Sequence, residues 1–202
     1  MKGYTNNKMY NKLLLGTGNL NKIKEIEYYL SSLNIELVNL SRYPNIETPI
    51  ETETTFIGNA LLKARYYYKK TGITTLADDS GITVKALNGR PGVYSAQYAD
   101  TDEKKCARML AEMKGIPNTH RDADQISVLA LVGDGIQEVF VGVVSGKISL
   151  ERWGSGGFGY DSIFTYPPLG KTLAELTLEE KANIGHRGRS LTHLYQYLKY
   201  TL

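Results

Sequence analysis

A glycine-containing turn near the N-terminus has the composition of a phosphate site. The segment Gly16–Asn19 (GTGN) follows the apolar run Leu13–Leu15 and precedes a stretch with helical periodicity. A strand-to-helix turn aims free backbone N–H groups and the positive end of the helix dipole at one point, which attracts anions. Lys22 lies near the helix start, but its neighbours are not those of a Walker motif, which needs Gly before the lysine and Ser or Thr after it. The pattern predicts a phosphate site, with an ordinary tight turn as the alternative.

Two adjacent carboxylates supply a second kind of chemistry. Asp78 and Asp79 are expected to end a short strand at a sharp turn, Ser80-Gly81. Adjacent strand residues point to opposite faces, so one carboxylate should face a cleft while the other caps the turn. Mg²⁺ takes one or two protein carboxylates and leaves its other positions to water and substrate phosphates. The sequence therefore allows a magnesium site, with a solvated polar turn as the alternative.

The last third of the chain could recognise a base. The segment Gly154–Asp161 is rich in glycine yet holds Phe158 and Tyr160. An aromatic ring beside flexible backbone can stack on a base, and Asp161 can accept a hydrogen bond from a ring N–H. A structural glycine turn with a core aromatic residue is the alternative.

Three basic residues follow this loop and could donate to a base carbonyl or to a phosphate. They are Lys181, His186 and Arg187, and we place all of them after a short helix opened by the capping box Thr177-x-x-Glu180. Standing alone, they would equally well form a basic patch on the surface.

The elements that position these residues follow from apolar periodicity. Helical spacing is expected from about Leu20 to Leu33, and another helix should begin after Thr55. Asp134-Gly135 joins two strand-like runs and predicts an antiparallel hairpin. A final helix is expected from about Ser190. The order βαβα followed by antiparallel strands predicts an α/β fold in which helices flank a mixed sheet, in one domain spanning residues 1–202.

Composition limits the classes of function. The 202-residue chain is 42% apolar and carries a net charge of +3, too little to argue for nucleic acid or an acidic membrane as partner. Cys106 is the single cysteine, which suits a reducing compartment. The polar stretch Met1–Lys12 lacks the apolar core of a secretion leader, and no run reaches the roughly 18 apolar residues of a membrane span. We expect a cytoplasmic protein.

Taken together, seven segments in order resemble the inosine triphosphate pyrophosphatase family, and they extend over nearly the whole chain. The segments are TGNLNK (17–22), TFIGNALLKAR (55–65), ADDSGI (77–82), GRPGVYSAQY (89–98), GSGGFGYDSIF (154–164), GKTLAEL (170–176) and EEKANIGHRGRSL (180–191).

The resemblance implies a fold, a reaction and partners. The fold would be an elongated mixed β-sheet flanked by helices, with two lobes and a central cleft. The reaction would be Mg²⁺-dependent hydrolysis of a purine nucleoside triphosphate, such as ITP, dITP or XTP, to the monophosphate and pyrophosphate. This activity removes deaminated nucleotides from the nucleotide pool, and the family is usually homodimeric.

The resemblance also assigns roles to individual residues. Asp79 would be the catalytic acidic residue, and Glu51 with Asp79 would bind the metal, with Glu47 as second choice for Glu51. Whether Asp79 acts as base or as metal ligand stays open. The residues that would bind substrate are Thr17, Gly18, Asn19, Lys22, Ser80, Phe158, Gly159, Tyr160, Asp161, Lys181, His186 and Arg187.

Departures from the family pattern and rival functions remain open at this point. Gly58 stands where the family usually has glutamate, so Glu53 or water would have to replace that side chain, and Gly185 stands where serine is usual. The rivals are a pyrophosphatase for modified pyrimidine triphosphates, a non-catalytic nucleotide sensor and, least favoured, a nucleic-acid binder.

Overall fold

The computed structural model describes residues 11–201, which form one mixed sheet with helices packed on it. The polar segment Met1–Lys12, on which the expected absence of a leader depends, lies outside the described residues except for its last two positions. No helix within the described range is long and apolar enough to cross a membrane. The strands are β1 Lys12–Leu15, β2 Glu36–Asn39, β3 Thr75–Val84, β4 Asp122–Gly133, β5 Ile136–Ile148, β6 Phe164–Tyr166 and β7 Lys171–Thr172. The helices are α1 Leu20–Leu30, α2 Phe56–Thr71, α3 Asp102–Glu112, α4 Leu178–Ile184 and α5 His186–Thr201.

The sheet has seven strands in the order β2-β1-β3-β4-β5-β6-β7. β1 runs parallel to β2 and β3, because α1 and α2 carry the chain back across the sheet, and every later pairing is antiparallel. The Asp134-Gly135 turn closes the β4–β5 hairpin as predicted. The α/β fold with a mixed sheet is thereby confirmed, and its division into two lobes stays a prediction.

Two apolar clusters flank a polar middle on one face of the central strands. The first packs Leu76 and Leu129 under α1 and α5, and the second packs Ile82 and Val84 under α3. On β3, the residues between these clusters on that face are Asp78 and Ser80, and strand alternation places Asp79 on the opposite face, under α2. The polar side chains of the predicted site therefore stand where both cores end.

The expected turn at Asp78–Gly81 is wrong, because β3 continues through it. All four residues pair in register with β4, and the strand ends only at Val84. Polar residues persist in this central strand because buried cations neutralise both carboxylates. Gly81 is needed there, since a Cβ at this position would clash with Ser95, which packs against the strand.

The C-terminal helices also differ from expectation. The capping box at Thr177 and Glu180 opens α4 as predicted, but Lys181 lies inside that helix instead of following it. The extended backbone of Gly185 separates α4 from α5, which begins at His186, four residues earlier than predicted. This early start puts His186 and Arg187 in the first turn of α5, where both are buried.

Candidate active site

A cleft with a volume of about 290 Å³ opens at the polar middle of the sheet. Most of the predicted site residues line it: Thr17, Gly18, Asn19, Lys22, Glu51, Ser80, Phe158, Gly159, Tyr160, Asp161, His186 and Arg187. Asp79 and Lys181 lie directly behind this wall, through ion pairs with Lys63 and Asp161. One cleft therefore gathers the three groups of residues that the sequence suggested separately.

The turn after β1 is held in shape by its own side chains. Asn19 caps α1, since its Oδ1 accepts hydrogen bonds from the backbone N–H groups of Asn21 at 3.0 Å and Lys22 at 3.3 Å. Thr17 Oγ1 accepts from the backbone N–H of Asn19 at 3.2 Å. The turn thus brings the positive end of the α1 dipole to the cleft wall, an arrangement that attracts anions.

Asp79 and Glu51 converge on one cation. The Lys63 ammonium donates to Asp79 Oδ1 at 2.8 Å and to Glu51 Oε1 at 2.6 Å. Burial raises the pKa of the Asp79 carboxyl, although Lys63 opposes that rise. Burial by itself would lower the pKa of Lys63, but the two carboxylates raise it. Glu47, the alternative to Glu51, is exposed and is not part of the cleft wall.

Asp78 belongs to a buried chain of charges on the other face of β3. Its carboxylate accepts from Arg187 Nε at 2.9 Å and forms an ion pair with Lys22. Arg187 also donates to Glu25 Oε2 at 2.6 Å and to Ser80 Oγ at 2.9 Å. Burial by itself would raise the pKa of Asp78, but Arg187 and Lys22 hold it well below its usual value. Asp78 is therefore a fixed anion that holds two cleft cations in place.

Lys181 extends this chain of charges to the glycine loop. Its Nζ lies 2.9 Å from Glu25 Oε1 and 2.6 Å from Asp161 Oδ2. Asp161 Oδ2 also accepts from the backbone N–H of Phe158 at 2.9 Å. The centroid of the Phe158 ring lies 4.6 Å from Lys181 Nζ and 5.4 Å from Arg187 Cζ. A partly exposed ring thus stands beside two cations, where a planar, polar group can stack and accept hydrogen bonds.

The glycine loop is anchored from its far side. The backbone N–H of Gly159 donates to Asp102 Oδ2 at 2.7 Å, and the Tyr160 hydroxyl donates to Ser95 O at 2.9 Å. Tyr160 is buried, so it shapes the loop, whereas Phe158 keeps a partly exposed ring at the cleft.

His186 lines the cleft as a neutral ring. Burial lowers its pKa to about 3, with Arg187 and Lys181 adding to the effect. Its Nδ1 is buried and has no hydrogen-bond partner among the described residues. At neutral pH the imidazole is therefore uncharged. It can form a hydrogen bond with a ligand, but it offers no positive charge to a phosphate.

This burial gives a testable pH dependence of stability. The pKa of His186 is about 3 in the folded chain but 6.5 in the unfolded chain. Protonation therefore favours the unfolded chain, and this destabilisation is absent above pH 6.5 and grows as the pH falls. The free energy of unfolding should drop by about 2 kcal/mol between pH 7 and 5 because of this group. In urea unfolding, the His186→Asn variant should not show this fall of about 2 kcal/mol between pH 7 and 5. A variant with the same exchange at the exposed His193, His193→Asn, should still show it. An identical pH dependence in wild type and His186→Asn would contradict the assignment.

Sequence reasoning missed two residues that organise the site. Lys63 lies on the buried face of α2 with Ala60, Ala64 and Tyr67, and a lysine at helical spacing among apolar residues was the available signal. Glu25 links Lys181 to Arg187, but its position in α1 gave no comparable signal.

Gly58 is explained locally. A Cβ at this position would lie 2.7 Å from Glu53 Cβ, so the side chain of Glu53 folds over the helix start where a larger residue would stand. Whether Glu53 takes over the role of the missing glutamate stays a hypothesis.

Comparison with known proteins gives a consistent result. The model of the Ham1 family matches residues 13–197. The chain is 44% identical to the dITP/XTP pyrophosphatase of Thermus thermophilus, over 93% of this chain and 92% of that protein. It is 42% identical to the dITP/XTP pyrophosphatase of Escherichia coli strain K12, over 93% and 98% of the two chains.

Solved structures agree in fold. A HAM1 protein from Coxiella burnetii superposes with a TM-score of 0.86 and 36% identity, over 94% of this chain and 98% of that one. A nucleoside-triphosphatase, named dITP/XTP pyrophosphatase, from Mycobacterium abscessus superposes with a TM-score of 0.75 and 42% identity, over 91% and 98% of the two chains. The resemblance expected from the seven sequence segments is confirmed.

Proposed function

This chain belongs to the Ham1 family, and we propose that it hydrolyses deaminated purine nucleoside triphosphates, such as ITP, dITP and XTP, to the monophosphate and pyrophosphate. One observation supports this most strongly. A single cleft is lined by the strand-to-helix turn with Lys22, by the Glu51–Lys63 pair and by the aromatic ring of Phe158. Lys63 of that pair also contacts Asp79. This arrangement would give a triphosphate, a metal ion and a base adjacent places in one site.

The triphosphate would lie against the turn at residues 16–19. The N-terminal end of α1 and the ammonium of Lys22 supply positive potential there. Lys22 is paired with Asp78, which fixes its position at the cleft wall. Asn19 uses its carbonyl oxygen in the helix cap and keeps its amide N–H groups for the ligand.

The residues around Asp79 fit Mg²⁺. Asp79 Oδ2 is buried without a hydrogen-bond partner in the described part of the chain, and Glu51 approaches the same cation as Asp79. No group of three or more potential metal ligands occurs among residues 11–201, but Mg²⁺ needs only one or two carboxylates when phosphates and water complete its coordination. When bound, the ion would neutralise charge that develops on the phosphates as pyrophosphate leaves.

Asp79 would orient the attacking water in line with the α-phosphorus. The raised pKa of its carboxyl makes it a better proton acceptor than an exposed aspartate. A carboxylate that binds metal is a poorer base, so the ligand and base roles compete for this side chain. In the nucleotide-free protein, Lys63 holds the carboxylate in a single position through the contact at 2.8 Å.

Base selection would depend on hydrogen-bond polarity. ITP and XTP present an oxygen acceptor at position 6, whereas ATP presents an amino donor there. Lys181 and Arg187 bring buried donors to the Phe158 ring. The amino group of ATP would face one of these donors, and both groups would be left without a hydrogen-bond acceptor. GTP, which shares the 6-oxo group, would be rejected through its 2-amino group.

A panel of ITP, XTP, ATP, GTP and dUTP tests this proposal. With Mg²⁺, kcat/KM for ITP should exceed that for ATP by at least about 100-fold, and pyrophosphate should be the product. Without Mg²⁺ turnover should fall to background. Equal rates on ITP, ATP and GTP would refute the proposed selectivity. Preference for the pyrimidine would favour a modified-pyrimidine pyrophosphatase, and binding without turnover would favour a nucleotide sensor.

We also propose that the protein is a cytoplasmic homodimer. The low cysteine content and a free-nucleotide substrate support the location. Sedimentation velocity should give twice the mass of one chain, and a monomer at micromolar concentration would exclude the dimer.

A further inference from the structure

Lys63 binds both carboxylates that the proposed function assigns to Mg²⁺. Its Nζ lies 2.6 Å from Glu51 Oε1 and 2.8 Å from Asp79 Oδ1, and its side chain is 9% exposed. A metal ion bound to these two carboxylates would be a near neighbour of the Lys63 ammonium. Two positive charges so close repel strongly in a buried site, and they compete for the same negative charge.

The cleft also gives the side chain of Lys63 room to move. Lys63 lines the cleft together with Tyr67 and the residues of the phosphate turn. A lysine ammonium sits on a flexible four-carbon stem, so it can move without any movement of α2. A triphosphate in the cleft would offer it anionic oxygens in exchange for the two carboxylates.

We propose that Lys63 is a displaceable counter-cation, which compensates Glu51 and Asp79 until the metal arrives with the triphosphate and then moves onto the phosphates. This inference rests on the proposed function, because it takes Glu51 and Asp79 as the metal ligands. It makes Lys63 a phosphate-binding residue once the nucleotide is present, and it makes free Mg²⁺ a weak ligand of the nucleotide-free protein. Metal would bind firmly only together with a nucleotide whose phosphates pair with the Lys63 ammonium.

Metal binding to the nucleotide-free protein tests this directly. Calorimetric titration with MgCl₂ should show that Lys63→Met binds Mg²⁺ at least about tenfold more tightly than wild type, since the competing charge is gone. Lys63→Arg should stay near wild type, because a guanidinium still pairs with the carboxylates. Lys105→Met is the matched control, because Lys105 lines the same cleft but pairs with Asp102. Its Mg²⁺ affinity should change less than about threefold at this larger separation.

Equal or weaker Mg²⁺ binding by Lys63→Met would overturn the inference, and so would equal tightening in Lys105→Met. If Lys63→Met does not fold, nitrogen-15 NMR of the Lys63 ammonium in wild type replaces it. Added MgCl₂ together with ITP should shift that signal, and an unchanged signal would again overturn the inference. Pyrophosphate release by wild type is scored separately. An active enzyme with no gain in metal affinity would reject only the role of Lys63, whereas an inactive wild type would reject the proposed function.

Discussion

Replacing Asp79 with asparagine is expected to lower kcat on ITP by a factor of about 100 or more, the usual scale of a general-base contribution. The amide keeps the shape of the side chain but neither accepts a proton nor offers a charged oxygen to the metal. The loss should appear in kcat whichever of the two roles Asp79 has, because both act on the reacting phosphate. The fold should survive, since Lys63 keeps its contact with Glu51.

Pyrophosphate release under saturating ITP and Mg²⁺ measures this loss. Asp134→Asn is the matched control, since it makes the same exchange at an exposed residue of the β4–β5 turn and should leave kcat unchanged. Near-normal turnover of a folded Asp79→Asn protein would refute the catalytic assignment.

The same aspartate-to-asparagine exchange at Asp78 should lower the stability of the fold. Asp78→Asn is expected to lower the free energy of unfolding by about 3–5 kcal/mol, the range found when one partner of a buried ion pair is removed. The side chain of Asp78 is fully buried and compensates both Lys22 and Arg187. Lys22 has no other carboxylate partner among the described contacts, so the variant would leave its partly buried ammonium uncompensated.

Urea unfolding at neutral pH gives this difference. Asp79→Asn should lose clearly less stability than Asp78→Asn, because Lys63 retains a second carboxylate. Equal losses in the two variants, or a loss below about 1 kcal/mol for Asp78→Asn, which is typical of an exposed ion pair, would contradict the buried-network account.

Local patterns predicted most of the architecture. The βαβα order gave the parallel strands, and Asp134-Gly135 gave the hairpin, because both depend on residues close in sequence. The continuity of β3 was not predictable in this way. Two adjacent aspartates favour a turn locally, and only the remote partners Lys63 and Arg187 make a buried strand tolerable.

The site shows the same limit. The turn at residues 16–19 and the loop carrying Phe158 were visible as motifs, because glycines mark places of close backbone approach. The early start of α5 was hidden, since Gly185 ends α4 and allows a second helix to begin at once. The role of Glu25 was hidden for a similar reason, because its partners Lys181 and Arg187 lie more than 150 residues away in sequence.

We propose that water attacks the α-phosphorus next to Asp79 while the triphosphate lies in this one cleft. Hydrolysis of ITP in oxygen-18 water with Mg²⁺ tests it most directly, since mass spectrometry locates the label. Attack at the α-phosphorus puts the label in the phosphate group of IMP and none in pyrophosphate. Label in pyrophosphate, or release of orthophosphate as the first product, would contradict it.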